Sequence, residues 1–394
     1  MAADTPRRAL IIGAGPGGLT AAIALRRTGI EAAVFERAEA LGKAGAGLGV
    51  QSNALRALMR LGIGDRLLNA GTEIRVQEVR DSRGELLLKL PMGEVADAFG
   101  TPSISLARAE VQLALADALD DGVLRLNREC TRVEQDADGV TAHFADGTTE
   151  RGSLLIGADG GRSIVRRLVY GDADAPRRYS GVTVWRSTVQ LDAGVLAQDT
   201  SRAYLGRGRT FVMFPVGGDN VYWGLGKREP EGGEDSVDEL HGMLADYLSE
   251  LPALTRQVVA ATPAAEIIRT DIYDRNPERV WVNGRVALLG DAAHLTSPFV
   301  GQGAGISMED SVALAKELAL TDGLRDQRML VHALTRYQQA RIPHTSGVVL
   351  TSRRRGRVLF LSNPQLIRVR DAMLRRLPAR AAWSMLAQTL TYEV

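Results

Sequence analysis

"ALIIGAGPGGLTAAIALRRTGIEAAVFER" spans residues 9 to 37. Ala9 to Ile12 form a short apolar run that ends in a glycine-rich turn, and from Pro16 to Arg27 the apolar side chains recur at helical spacing. Thr28-Gly29 stops that helix, and Glu31 to Glu36 reads as a second strand. Strand, turn, helix and strand together point to a Rossmann-like parallel sheet. Gly13, Gly15 and Gly18 stand in the GxGxxG pattern with Gly17 beside them, so backbone N–H groups and the positive end of the helix can approach a pyrophosphate. Glu36 closes the second strand, where a carboxylate accepts hydrogen bonds from ribose hydroxyls, and Arg37 follows it. An acid at that point disfavours a 2′-phosphate, so the dinucleotide held here is FAD or NAD and not NADP.

Further along the chain the pattern changes twice. Helices are expected at Asn53 to Leu61 and Arg108 to Leu119, with a hairpin over Glu73 to Leu90 turning at residues 81 to 84. Strands alternate from Val123 to Ala145, and Leu154-Leu155-Ile156 enters another glycine-rich turn. In the central third, Tyr179 to Gln190, Arg202 to Pro215 and Val221 to Lys227 are β-like, followed by a helix over Ser236 to Leu248. The α/β pattern returns at Arg285, and Arg-rich helices close the chain. The expected layout is α/β, a Rossmann-like domain interrupted by a mainly antiparallel β-sheet domain, with C-terminal helices. Its boundaries are drawn at 1–75, 101–172 and 278–340 for the nucleotide domain, 76–100 and 173–277 for the β domain, and 341–394 for the helices.

The 394 residues carry 45% hydrophobic side chains and a net charge of +1, enough to bury a large core and too little charge to suggest a nucleic-acid partner. One cysteine, Cys130, rules out an internal disulfide, a redox pair and a multi-thiolate metal site. No apolar stretch reaches 18 residues, and the apolar run after Arg7-Arg8 is broken by glycines too early for a signal peptide. A cytoplasmic protein, monomeric or homodimeric and without bound metal, is expected.

Two later stretches separate FAD from NAD. "LLIGADGGRSIVR" (154–166) and "VALLGDAAH" (286–294) resemble the "GADG…S.VR" and "GDAAH" signatures of class A flavoprotein monooxygenases, the para-hydroxybenzoate hydroxylase-like and salicylate hydroxylase-like family. "SLARAEV" (105–111), "GAGLGV" (45–50) and Asn53-Ala54 match the same family in the same order. The resemblance implies bound FAD with Asp291 at the ribityl chain and Arg108 near the phosphates and ribityl oxygens. It implies that Gly301, Gln302, Gly303, Ala304 and Gly305 offer backbone N–H groups to the flavin ring, that Gly49 and Val50 approach the ring from the other side, and that Gly47 belongs to the cofactor site. Pro298 is expected beside the ring. Asp159 belongs either to a turn that holds the fold or to a loop linking flavin and NAD(P)H. For His294 the expectation is an orienting or packing role, not that of a base.

The implied activity is oxygenation of an aromatic or polycyclic small molecule, by hydroxylation or epoxidation through a flavin hydroperoxide. Dioxygen is the oxidant, and NADH or NADPH is a transient co-substrate, since no second GxGxxG unit exists. Natural-product tailoring, antibiotic modification and phenol catabolism are competing roles. A flavin oxidase or reductase of the same fold, and a flavoprotein that binds ligand without turnover, are the alternatives. Strand alternation puts Arg209, Phe211 and Met213 on one face and Tyr222 and Gly224 on one face of the next strand. Arg186, Arg209, Phe211, Tyr222 and Pro298 are the substrate candidates; no catalytic residue is assigned. The run Arg353-Arg354-Arg355 reads as a solvated helix face, or alternatively as a nucleotide-docking patch.

Overall fold

A computed structural model describes residues 7–42, 47–192, 194–320, 324, 326–390 and 392–393, apart from the side chain of residue 172. Its central strand, Arg8–Ile12, pairs in parallel with Glu31–Phe35 on one side and Leu154–Gly157 on the other. Val286–Leu288 extends the sheet beyond Leu154–Gly157, and Leu124–Arg125 extends it beyond Glu31–Phe35. Leu10, Ile11, Leu155 and Ile156 are fully buried, as expected of parallel strands covered on both faces. Helix Pro16–Arg27 starts with proline at its first position and packs on helix Gly303–Ala319, so the two glycine-rich turns end up side by side.

The second large sheet has seven strands, in the order Ile268–Asp274, Arg178–Gln190, Asn220–Arg228, Arg209–Pro215, Thr200–Leu205, Val76–Asp81 and Leu86–Leu90. Neighbours are antiparallel except Thr200–Leu205 with Val76–Asp81. Helices Leu240–Tyr247 and Ala253–Ala260 cover one face, where Trp185, Phe211, Met213, Trp223 and Leu225 form a core with Leu244 and Val258. On the other face Val184, Arg186, Val212, Phe214 and Tyr222 keep accessible surface. That uncovered face is one wall of a cleft.

Three expectations about elements change. The run from Arg202 to Pro215 is two strands, because Gly206-Arg207-Gly208 turns the chain back on itself and Gly208 takes a φ of +66°. Ile268–Asp274, read as no element in the sequence, is an edge strand paired with Arg178–Gln190. A boundary at residue 341 falls inside a single helix, Gln327–Leu359, which continues through Pro343. Its inner face, including Arg341, is buried against helix Gly303–Ala319, and that packing outweighs the helix-breaking tendency of proline.

Candidate functional site: a cleft between two glycine turns and a sheet face

What each glycine would meet if it carried a Cβ separates fold from ligand. At Gly13 the atom would lie 2.4 Å from the Ala158 carbonyl oxygen, and φ is +105°. At Gly18 it would lie 2.0 Å from the Gly13 oxygen, and at Gly17 it would lie 2.7 Å from Leu289. These three glycines are required by the protein's own packing. Gly15 has nothing within 4 Å, so the space over it is left for something other than protein. Gly15→Ala is therefore expected to fold with an unchanged melting temperature but to weaken FAD binding. Gly13→Ala should lose stability with or without FAD. Thermal melts of both variants at varied FAD concentration check the contrast.

Glu36 is held where the ribose hydroxyls are expected: its carboxylate accepts from the backbone N–H of Ala14 at 2.8 Å and of Ala38 at 2.9 Å. Arg37 lies next to it, exposed on the rim. Asp159 turns inward, accepting from Ile164 N at 2.8 Å, while its other oxygen is buried without a partner. Burial pushes its carboxyl above the usual range. Its turn lies against Gly13, whose added Cβ would sit 3.0 Å from the Asp159 Cα. The arginine of the same motif, Arg166, reaches the other signature directly, donating to the Ala292 carbonyl at 2.7 Å.

Asp291 begins the short helix Asp291–His294, behind Gly290 at φ +61°. Burial raises its pKa, with His294 and Arg108 opposing that shift. Arg108, first residue of helix Arg108–Ala116, is depressed chiefly by burial, partly offset by Asp291 and reinforced by Arg186. Yet Arg108 and Asp291 both retain accessible surface. An acid and a cation close enough to shift each other suit the hydroxyls of a ribityl chain and the oxygens of a phosphate.

The second glycine cluster lies at the start of the helix that packs on Pro16–Arg27. Gln302 precedes helix Gly303–Ala319, so the helix N-terminal N–H groups of Gly303, Ala304 and Gly305 point out of the turn behind Gly301, whose φ is +68°. An added Cβ on Gly305 would be 3.2 Å from Ala54, and this close approach lets Asn53 reach Gln302 at 3.0 Å and Glu309 at 2.6 Å. Gln302 also donates to Gln51. Val50 is buried, and Gly49, like Gly15, has nothing within 4 Å of its Cβ position. At Gly47 an added Cβ would be 2.6 Å from Tyr222, so this glycine is required by packing on the substrate sheet. Gly45 and Ala46 lie outside the described residues.

Sheet register decides the substrate candidates. Arg186 pairs with Gly224, and Tyr222 pairs with Thr188 and Phe214, so Arg186, Tyr222 and Phe214 share the cleft face. Arg209 and Phe211 pair with Lys227 and Leu225, on the opposite face. Arg209 donates to the Tyr247 carbonyl, and Phe211 is fully buried against Trp223 with ring centres 5.9 Å apart. Both are removed from the substrate set, because a shift of one residue along a strand exchanges its faces. Val212 and Phe214 take the places expected of them. Pro298 is exposed at the cleft, at the start of the turn Pro298–Val300.

A charged cluster that sequence reasoning missed lies behind the flavin side. His294 Nε2 meets Asp310 at 2.5 Å, Arg341 donates to Asp310 at 2.7 Å and to Glu309 at 2.8 Å, and all four are buried. Trp281 packs on the His294 ring. His294 thus positions the Asp291 helix and does not face the cleft as a base. Two adjacent acids in the mostly apolar first half of the helix, Glu309-Asp310, were the available signal; their partner Arg341 is some thirty residues away and carries no motif.

With the fold and cleft described, the relatives can be placed. The family model of the FAD binding domain matches residues 7–352. The chain belongs to this family, and it is an FAD-dependent monooxygenase. It is 38% identical over 366 residues to the aurachin C monooxygenase/isomerase of Stigmatella aurantiaca, covering 93% of each chain. It is 34% identical over 390 residues to the 3-amino-4-hydroxybenzoate 2-monooxygenase of Streptomyces cremeus, covering 96% of this chain and 95% of the relative. The crystal structure of Klebsiella pneumoniae HpxO complexed with FAD and uric acid superposes with a TM-score of 0.90 at 31% identity, over 98% of this chain and 96% of that one.

Proposed function

We propose that the cleft takes a small aromatic or polycyclic substrate whose polar group is oriented by Arg186 and Tyr222, in a tailoring reaction on a natural product or related aromatic. NADH or NADPH is the transient reductant and dioxygen the co-substrate. The observation that carries the reading is at Arg186. Its Nε is buried with no hydrogen-bond partner, and Nη2 has only a long contact of 3.4 Å to Thr270. A desolvated guanidinium with unmatched donors is complementary to an oxygen anion or a polarised carbonyl. Burial raises the Tyr222 pKa against the opposing effect of Arg186, so the phenol stays protonated and donates to the substrate.

FAD supplies the redox and oxygen chemistry when bound. The chain's contribution is to hold the substrate between Pro298 and the sheet, to keep water out with Phe214 and Val212, and to fix the reacting carbon toward the ring. The relatives support this reading, one named an aurachin C monooxygenase/isomerase and one a 3-amino-4-hydroxybenzoate 2-monooxygenase. No helix among the described residues is long and apolar enough to cross a membrane. The reading has the enzyme working in the cytoplasm, where reduced nicotinamide is available.

Paired variants test the register. Arg186→Gln should raise KM or uncouple NAD(P)H oxidation from product formation by about tenfold or more, the value of a lost charge-assisted hydrogen bond. Arg209→Gln should leave KM and coupling unchanged. NAD(P)H consumption and oxygenated product, measured across a panel of phenols, aminobenzoates and quinolones, decide it. The opposite pattern would put the substrate on the other face of the strands.

A further inference from the structure

The arginines at 353 to 355 have three different environments. Arg353 is paired with Asp274 at 2.9 Å and reaches Asn276 at 3.1 Å. Arg354 is exposed. Arg355 is half-buried, and among the described residues no hydrogen bond or ion pair joins it. Burial alone depresses its pKa, with no carboxylate opposing the shift.

Its place on the helix says what it faces. Ser352, one turn before it, is buried and bonded to Ser297 at 2.9 Å. Gly356, the next residue, is pressed on Phe299, whose ring would be 2.6 Å from an added Cβ. Leu359, one turn after it, packs on Val79, Leu87 and Leu205. Leu205 pairs with Thr210 and Ala203 pairs with Val212, both on the face of the seven-stranded sheet that carries Phe214 and Tyr222. Arg355 therefore leaves the helix where it crosses from the Pro298 turn to the cleft face. Like Asp291 and Tyr222, it is half-buried and keeps accessible surface.

We propose that Arg355 forms an anion-binding subsite in the wall of the substrate cleft and takes an oxyanion of the aromatic substrate, such as a carboxylate. The proposal rests on the reading of this cleft as the substrate site. A half-buried guanidinium with no acid beside it keeps its donors free, and an oxyanion matching its planar fork supplies both charge and hydrogen bonds. Arg186 and Tyr222 then orient one end of the substrate and Arg355 the other, which favours molecules with two polar groups on a flat ring system.

The test uses FAD-loaded enzyme without turnover. Salicylate, 3-amino-4-hydroxybenzoate and their neutral amides are titrated, and binding is read from perturbation of the oxidised flavin absorption. The wild type should bind the carboxylates about tenfold or more tighter than the amides, as one charge-assisted contact is worth. Arg355→Gln should erase that preference while leaving amide affinity and flavin content unchanged. Arg355→Lys, which keeps the charge but not the fork, should keep part of it and serves if the glutamine variant does not retain FAD. Equal binding of carboxylate and amide by the wild type, or a preference that survives in Arg355→Gln, overturns the proposal. Product formation is assayed separately: a wild type with the preference but no oxygenated product contradicts the proposed function and leaves the anion subsite standing.

Discussion

Asp291→Ala is expected to purify colourless or nearly so. In the structure this carboxylate interacts with Arg108, has its pKa raised by burial, and opens helix Asp291–His294 behind Gly290. Its burial costs desolvation, and under the proposed assignment the ribityl hydroxyls of FAD supply its hydrogen bonds. Hydrogen bonds to a charged group contribute about 1.5–3 kcal/mol each, so losing one or two weakens FAD binding by roughly one to several orders of magnitude. The alanine variant without flavin should melt no lower than wild-type apoprotein, because the buried charge is gone, but it should lose the stabilisation that added FAD confers. The ratio of flavin to protein absorbance and melts at varied FAD concentration report both quantities. Full yellow occupancy in the variant would remove Asp291 from the flavin site.

Arg341→Leu should be the most damaging substitution outside the glycine turns. It leaves Glu309 and Asp310 buried without their cation, and breaking such a group from one side costs about 3–5 kcal/mol. Burial alone would raise the Asp310 carboxyl, but His294 and Arg341 hold it down at about 2. A depressed carboxylate contributes stability that is present above its unfolded pKa and lost as pH falls toward 2. Without Arg341 the Asp310 pKa rises, the folded variant binds protons more readily than the unfolded chain, and its stability increases on mild acidification. The gap in melting temperature between wild type and variant should therefore be widest near pH 8 and narrow toward pH 5. A gap independent of pH would mean that Arg341 acts through packing alone.

Much of the flavin side was legible because its parts are local. GxGxxG with a following acid, "GADG" and "GDAAH" each join a strand to a turn within a dozen or so residues, and backbone geometry there leaves few alternatives to glycine. Even so, the reason for each glycine was not legible. Gly15 and Gly49 face open space, whereas Gly13, Gly17, Gly18 and Gly47 are filled by the chain itself, and only packed neighbours reveal which is which. The Arg341 cluster was hidden for the same reason, since residues 53, 294, 309, 310 and 341 meet only when helices Gly303–Ala319 and Gln327–Leu359 pack.

The substrate side shows the division most clearly. Composition and alternation were enough to place an antiparallel sheet between the two halves of the nucleotide fold, because turn residues and β-branched or aromatic runs act over a few positions. Which face of that sheet meets the cleft depends on where helices Leu240–Tyr247 and Ala253–Ala260 dock, and they take the side bearing Trp185, Phe211, Met213 and Trp223 because it buries the larger apolar surface. Arg209 goes with that side and Arg186 with the other. Local chemistry thus settles that this chain holds FAD, while the choice among its arginines waits on the packing of distant helices, since period-two alternation says which residues share a face but not which face is left open.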